Sequence, residues 1–498
     1  MDTYFRRFHS RFLLFGTAVF AGLWAVVRAG TQSVTIDEAD TYLDWVARTS
    51  PGHWEAASNN HVLNTLLMRL FTSLFGLSHL TLRTPALIGA AIYISAAYVF
   101  CRILTNDTLR QWLVFVCLVY NPFLFDYLVA ARGYSLGMAF LMAALVLAAW
   151  AQSRWPPDRI GAACSVCAAL SLAGNFSFAF VDGAAMLAIF AWLWRHPARQ
   201  RLRLLAACTI PGLIVTLFLT ASVLIRFPKS ELRYGARSMG EMWRSVIRDS
   251  LYQLNPEMVN PFLLKIAEHG RLFLFPLLAA FAIWRLAAAS RRTRVAPDPH
   301  TVWLRQVGCV LAATLVLALV AHWIAFRRWG VLLPMDRTAL FLALLPTLLL
   351  GLAAALPGAL HDWGRRALTA MLFALSLYFL GCLRLGYFKE WQWDAEVNRV
   401  YPVLAYYNRT YGIRDFVSEW RYGSVLRFYR RLDRHGTISQ IRSPLEIPED
   451  GQVYILDWGF EEDVIKRLGL RVVYRGAITD VVVAIRPEVE SVRCVAAN

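Results

Sequence analysis

The chain has 498 residues, 57% of them hydrophobic and 17% charged, with 51 Lys plus Arg against 34 Asp plus Glu and a formal net charge of +17. So much apolar side chain exceeds what one or two soluble cores bury, which excludes an ordinary soluble enzyme and indicates a polytopic membrane protein. From Tyr387 to Asn498 the charges balance at 16 basic and 16 acidic, so the whole excess belongs to the apolar part; there it fits the positive-inside rule and anionic lipid, not nucleic acid.

In chain order, Arg6, Arg7 and Arg11 precede a first apolar run over 12–29, longer than a signal-peptide core and read as an uncleaved anchor. Further runs long enough to cross a bilayer lie at 85–104, 111–125, 134–152, 160–174, 177–194, 203–225, 270–288, 307–326, 338–356 and 367–386, which predicts eleven helical spans. With the N-terminus inside, the inside loops gather Arg195, Arg199, Arg201, Arg203, Arg285, Arg291, Arg292, Arg294, Arg305, Arg365 and Arg366. The short outside loops offer Arg132, Arg327, Arg328 and Arg337. This bias puts loop 30–84, loop 226–268 and the tail from Tyr387 outside. Seven of the eight cysteines fall in or beside apolar runs and only Cys494 is in a polar region, so no disulfide framework follows. Cys164 and Cys167 have metal or redox spacing but no other ligand type nearby, and packing accounts for them.

The first outer loop carries the densest polar load, Thr35-Ile36-Asp37-Glu38-Ala39-Asp40 and then Asn59-Asn60-His61-Val62-Leu63-Asn64. Adjacent carboxylates just past a span can have their pKa tuned by burial, and Asp37 with Glu38 could take the proton from an acceptor hydroxyl. Equally, Asp37 could cap a short helix with Asp40 at its third position. Asn60, His61 and Asn64 are spaced for one helical face suited to sugar hydroxyls, or to one divalent metal ligand if a carboxylate approaches; plain helix-surface polarity is the alternative. No cofactor is required by these residues.

Asp126 and Arg132 bracket the outer end of the third run, followed by Gly133-Tyr134-Ser135. They read as a mutual salt bridge, or as a catalytic acid and a phosphate-binding guanidinium. Asp336-Arg337 opens the tenth run, where Arg337 meets a lipid phosphate or snorkels to the interface. Lys229, Arg233 and Arg237 would weakly collect anionic substrate.

After Tyr387 the pattern changes to short strands at 453–456, 471–474 and 481–485 among amphipathic helices at 395–408, 424–432 and 460–468. This predicts a separate α/β domain over 387–498, beside a mainly α membrane module over 1–386.

There is no P-loop, no dinucleotide fingerprint and no Asp-x-Asp motif, so a transfer reaction here needs a donor already activated in the membrane. The order Asp37-Glu38-Ala39, Asn60-His61-x-x-Asn64, Arg83-x-Pro85 and Ala131-Arg132-Gly133-Tyr134-Ser135, with Asp336-Arg337 as a later echo, resembles the C-type glycosyltransferase superfamily. These are integral-membrane enzymes that include protein mannosyltransferases and the aminoarabinose transferases of lipid A. The resemblance implies an inverting hexosyl or pentosyl transfer from a polyprenyl-phosphate sugar to a lipid, glycan or protein of a bacterial envelope. It implies a multi-pass protein of the inner membrane, with N-terminus cytoplasmic and C-terminus periplasmic. Asp37 becomes the essential carboxylate and Asp126 the second acid. Arg132 and Arg337 hold the phosphate, and Glu38, Asn60, His61, Asn64, Tyr134 and Asp336 contact substrate. The tail, with Glu419-Trp420-Arg421-Tyr422-Gly423, departs from the extra domains of the best-known members. A transporter or flippase would instead show mid-bilayer charges and paired broken helices; Asp182 beside Gly183 is the one such acid. A non-catalytic envelope scaffold is the third class.

Overall fold

The structure is a computed structural model that describes residues 2–51, 54, 57, 59–194, 201–226, 234–251, 260, 262, 298–356 and 361–490. The expected span at 270–288, the cations at 195, 199, 229, 233 and 285–294, and Cys494 lie outside the described residues. The chain is mainly helical, and it divides into two compact units. One comprises Met1–Val26, Glu55–Asn64 and Pro85–Leu383; the other comprises Val27–Trp54, Thr65–Thr84 and Arg384–Asn498.

Among the described residues, seven helices are long and apolar enough to cross a membrane, from Phe12–Thr31 to Asp336–Ala355. An eighth span would be the pair Thr108–Val119 and Pro122–Val129, bent by 60°. The count of eleven is not reached among the described residues. Helices Pro157–Gly174 and His361–Gly381 match two of the expected runs but are not among the seven. The third run, expected as one span, is divided between Thr108–Val119 and Pro122–Val129. Pro122 cannot donate into the preceding turn, and Asn121 caps the new helix by accepting from the Phe123 N–H at 3.0 Å.

Within this first unit, Pro157–Gly174 packs between Tyr134–Ala151 and Arg201–Leu224, and Pro299–Trp329 packs on Ala179–Leu193. Close crossing needs small residues. A Cβ on Gly212 would stand 2.5 Å from the Ser165 carbonyl oxygen, so glycine is what allows that contact. Apolar side chains that stay outward, such as Phe218 and Leu213, have lipid as their natural solvent.

The second unit is built on a five-stranded sheet. Its strands are β1 (Asp415–Ser418), β2 (Gln440–Arg442), β3 (Val453–Asp457), β4 (Arg471–Arg475) and β5 (Val481–Ile485), ordered β2-β1-β3-β5-β4. β1 runs parallel to β2 and β3, while β5 is antiparallel to β3 and β4. Helix Trp420–Leu432 supplies the crossover that the parallel β1–β2 pair requires. β3 and β5 are buried at every position, in keeping with the mostly apolar residues of both strands. Val417, Leu456, Ile465, Leu470 and Val482 form the core on one face, each large aliphatic side chain contributing about 1.5–3 kcal/mol by burial. The three strands read from the sequence are present; β1 and β2 are additions to them.

Candidate functional site

In the second unit, the acidic loop is a five-residue helix, Ile36–Asp40, followed by a π-helical turn at Thr41–Val46. The cap is set two residues earlier than the Asp37/Asp40 alternative. Thr35 accepts from the Glu38 N–H at 3.2 Å, and the Glu38 carboxylate accepts from the Thr35 N–H at 2.9 Å, a reciprocal capping box. Glu38 is fully buried, and its two oxygens also take Arg83 Nε and Nη2 at 2.9 and 2.7 Å. Arg83 sends its other donors to the carbonyls of Ala29, Gln32 and Ser33, and its guanidinium lies over the Phe388 ring at 5.1–5.2 Å together with that of Arg28. Glu38 is thereby tied into the frame of the loop.

Asp37, the neighbouring carboxylate, is only partly covered. Its Oδ2 accepts from Trp391 Nε1 at 3.1 Å. Asp394, three residues further on, is buried and accepts from the Ile36 N–H through Oδ2 at 2.7 Å. Burial first, and then the charges of Asp37, Glu38 and Asp40, push its carboxyl well above the usual range; the Ile36 N–H opposes this. Tyr429 accepts from the Val34 N–H at 3.0 Å, holding the approach to the helix.

In the first unit, Asn60 and His61 sit ahead of a helix that begins at Val62, so only Asn64 is helical. The shared helical face is thus corrected to a loop followed by a helix start. All three are buried, which removes surface polarity as their explanation. Asn64 Nδ2 donates to the Ala131 carbonyl at 3.1 Å, Arg132 donates to Asn59 Oδ1, and the His61 ring packs edge-on against Tyr134 at 5.1 Å. Gly133 makes this possible. Its φ of +69° suits the turn, and an added Cβ would stand 2.2 Å from the Gly174 carbonyl oxygen and 2.7 Å from His61 Cβ.

His61 is held neutral: burial lowers its pKa well below the ordinary imidazole value, aided by the positive charges of Arg132 and Arg337. Arg337 stacks over the Tyr234 ring at 4.8 Å. Asp336 adopts φ +47°, unusual for a residue with a side chain, and is held by Arg248 at 2.7 Å, by the Tyr234 hydroxyl at 3.0 Å and through its N–H by Ser245 at 3.1 Å. Asp126 is buried in Pro122–Val129, the second limb of the bent pair. Of the expected residues, then, the structure gathers His61, Arg132, Tyr134 and Arg337 in one unit and places Asp37 and Glu38 in the other.

Trp391, Asp394, Tyr234 and Arg248 carried no motif; the one hint was the polar and aromatic crowding of Lys389-Glu390-Trp391-Gln392-Trp393-Asp394 just after the last apolar run. Among the described residues no group of three His, Cys, Asp or Glu side chains is placed to hold a metal ion.

No protein-family model and no curated protein matches the sequence. Solved structures do match. ArnT from Cupriavidus metallidurans, determined with undecaprenyl phosphate bound, aligns at 13% identity and TM-score 0.52 over 96% of this chain and 98% of its own. The arabinofuranosyltransferase AftD from Mycobacteria aligns at 14% identity and TM-score 0.48 over 95% of this chain and 40% of its own. The oligosaccharyltransferase AglB from Archaeoglobus fulgidus, in complex with an inhibitory peptide and a dolichol-phosphate, aligns at 12% and 0.41 over 92% and 71%. Through the first of these, this chain shares the fold of ArnT.

Proposed function

We propose that the protein is an inverting glycosyltransferase that moves a sugar from a polyprenyl-phosphate donor to an acceptor of the bacterial envelope, on the periplasmic side of the inner membrane. The observation that carries this reading is a buried His61 whose pKa is lowered by burial and by the charges of Arg132 and Arg337, inside a fold shared with ArnT, determined with undecaprenyl phosphate bound. Two guanidinium groups in a partly dry setting suit a phosphate and its developing charge as the sugar departs. An imidazole kept neutral beside them adds no charge and can hydrogen-bond sugar hydroxyls along with Asn60 and Asn64. Asp37 takes the proton of the acceptor hydroxyl as its oxygen attacks the anomeric carbon and the bond from that carbon to the phosphate oxygen breaks, releasing polyprenyl phosphate. Asp126 is the second acid, and Tyr134 and Asp336 complete the substrate contacts. The N-terminus is cytoplasmic, and 387–498 is a periplasmic domain.

The test is mass spectrometry of lipids, glycans and envelope proteins from cells carrying the wild-type gene, no gene, or Asp37→Asn. The deletion and D37N should both accumulate one lipid-linked sugar and lose one envelope modification, with D37N present in the membrane at normal level. A fully modified envelope in the D37N strain removes Asp37 from the mechanism.

A further inference from the structure

A short turn that follows helix His361–Gly381 in sequence places two side chains against the loop of Asp37. Gln392–Asp394 is a single 3-10 turn entered from Trp391, and the Asp394 N–H returns to the Trp391 carbonyl at 3.0 Å, so the two side chains are fixed relative to each other. Both are buried. The indole N–H meets the Asp37 carboxylate at 3.1 Å, and the Asp394 carboxyl meets the backbone N–H of Ile36 at 2.7 Å. On the other side of Asp37, Glu38 is bound by Arg83 at 2.7 Å. Asp37 therefore has each chain neighbour clamped and one carboxylate oxygen bound by an indole N–H. A base that must present one oxygen to an acceptor needs such an arrangement.

We infer that Trp391 and Asp394 are positioning residues for Asp37, through which the C-terminal segment sets the geometry of proton transfer. This rests on the reading of Asp37 as the general base. An indole donor orients the carboxylate without neutralising it, as a cationic partner would. Asp394 serves as the acceptor for the Ile36 N–H, and burial together with Asp37, Glu38 and Asp40 raises its pKa. An amide has the same shape and the same accepting oxygen, so the arrangement makes a sharp distinction between Asn and Ala at this position.

The experiment uses full-length protein in nanodiscs. The lipid-linked sugar that accumulates in the deletion strain serves as donor, and envelope extract from that strain as acceptor. Trp391→Phe and Asp394→Ala should each lower kcat by about tenfold to a hundredfold, the range expected for a displacement near 1 Å. The KM for donor should stay at the wild-type value, and Asp394→Asn should restore most of the lost kcat. If D37N is inactive while W391F and D394A keep wild-type kcat, the inference fails and the reading of Asp37 stands. If D37N is active, both fail. Parallel loss of kcat, donor affinity and melting temperature marks a merely structural contact and overturns the inference, as does a D394N enzyme no better than D394A.

Discussion

Arg83 has no exposed surface, yet each of its five guanidinium hydrogens has an acceptor: two on Glu38 and one each on the carbonyls of Ala29, Gln32 and Ser33. Removing one partner of such a pair leaves the other charge buried and uncompensated. Arg83→Ala should therefore cost about 3–5 kcal/mol, read as a lower thermal midpoint of the detergent-solubilised protein. Lysine, with three donors and no planar fork, should recover only part of it; full recovery by R83K would show that charge alone matters there. His61 gives a second residue-level expectation, with a definite sign. Its pKa is lowered in the fold, so the unfolded chain binds the proton more readily. The stability this provides is fully present above the unfolded value of about 6.5 and is lost as pH falls from there through the lowered folded value. Melting at pH 7.5 and 5.5 should show wild type losing more stability on acidification than His61→Gln, and equal slopes would place the imidazole in a solvated setting.

At the scale of elements, the turn into helix Tyr134–Ala151 depends on Gly133. Gly133→Ala adds strain at positive φ and a clash with the Gly174 carbonyl and His61, so a loss of roughly 1–3 kcal/mol is expected. Gly183→Ala is the control, since nothing lies within 4 Å of its added Cβ and alanine favours the helix interior by about 1 kcal/mol. Comparable melting temperatures for the two variants would refute the packing described around Gly133. Ala131-Arg132-Gly133-Tyr134-Ser135 stood out in the sequence because a cation and a glycine interrupt apolar runs, and Asn60-His61-x-x-Asn64 because amides and an imidazole do. Their helical register did not, since His61 is fixed by tertiary contact with Tyr134. β1 and β2 were illegible for a related reason. Each has only three or four residues, and β1 is defined by partners at Gln440 and Tyr454, not by its own alternation. The bend before Pro122 was legible in principle, as a proline in an apolar run ends or kinks a helix, and Asn121-Pro122 interrupts the run there.

For the whole molecule, hydropathy revealed the membrane character and the change at Tyr387, because both are properties of composition over long windows. What composition could not reveal is that Val27–Trp54 and Thr65–Thr84 belong to the same compact unit as the tail. Such membership is written in single contacts, Arg83 with Phe388 and Tyr429 with Val34. Ending the chain after Gly386 should consequently leave the segment from Gln32 to Trp54 open to protease. Fragments mapped in the detergent-solubilised protein test this, and a segment as resistant as in the full chain would contradict the shared unit. The same interleaving imposes a schedule on biosynthesis. Ile36 leaves the ribosome 358 positions before Asp394, a delay of roughly 20–70 s at 5–20 residues per second. Through that interval the acidic segment stands without its final partners, a window in which a holdase or a nearby headgroup would protect it from premature degradation.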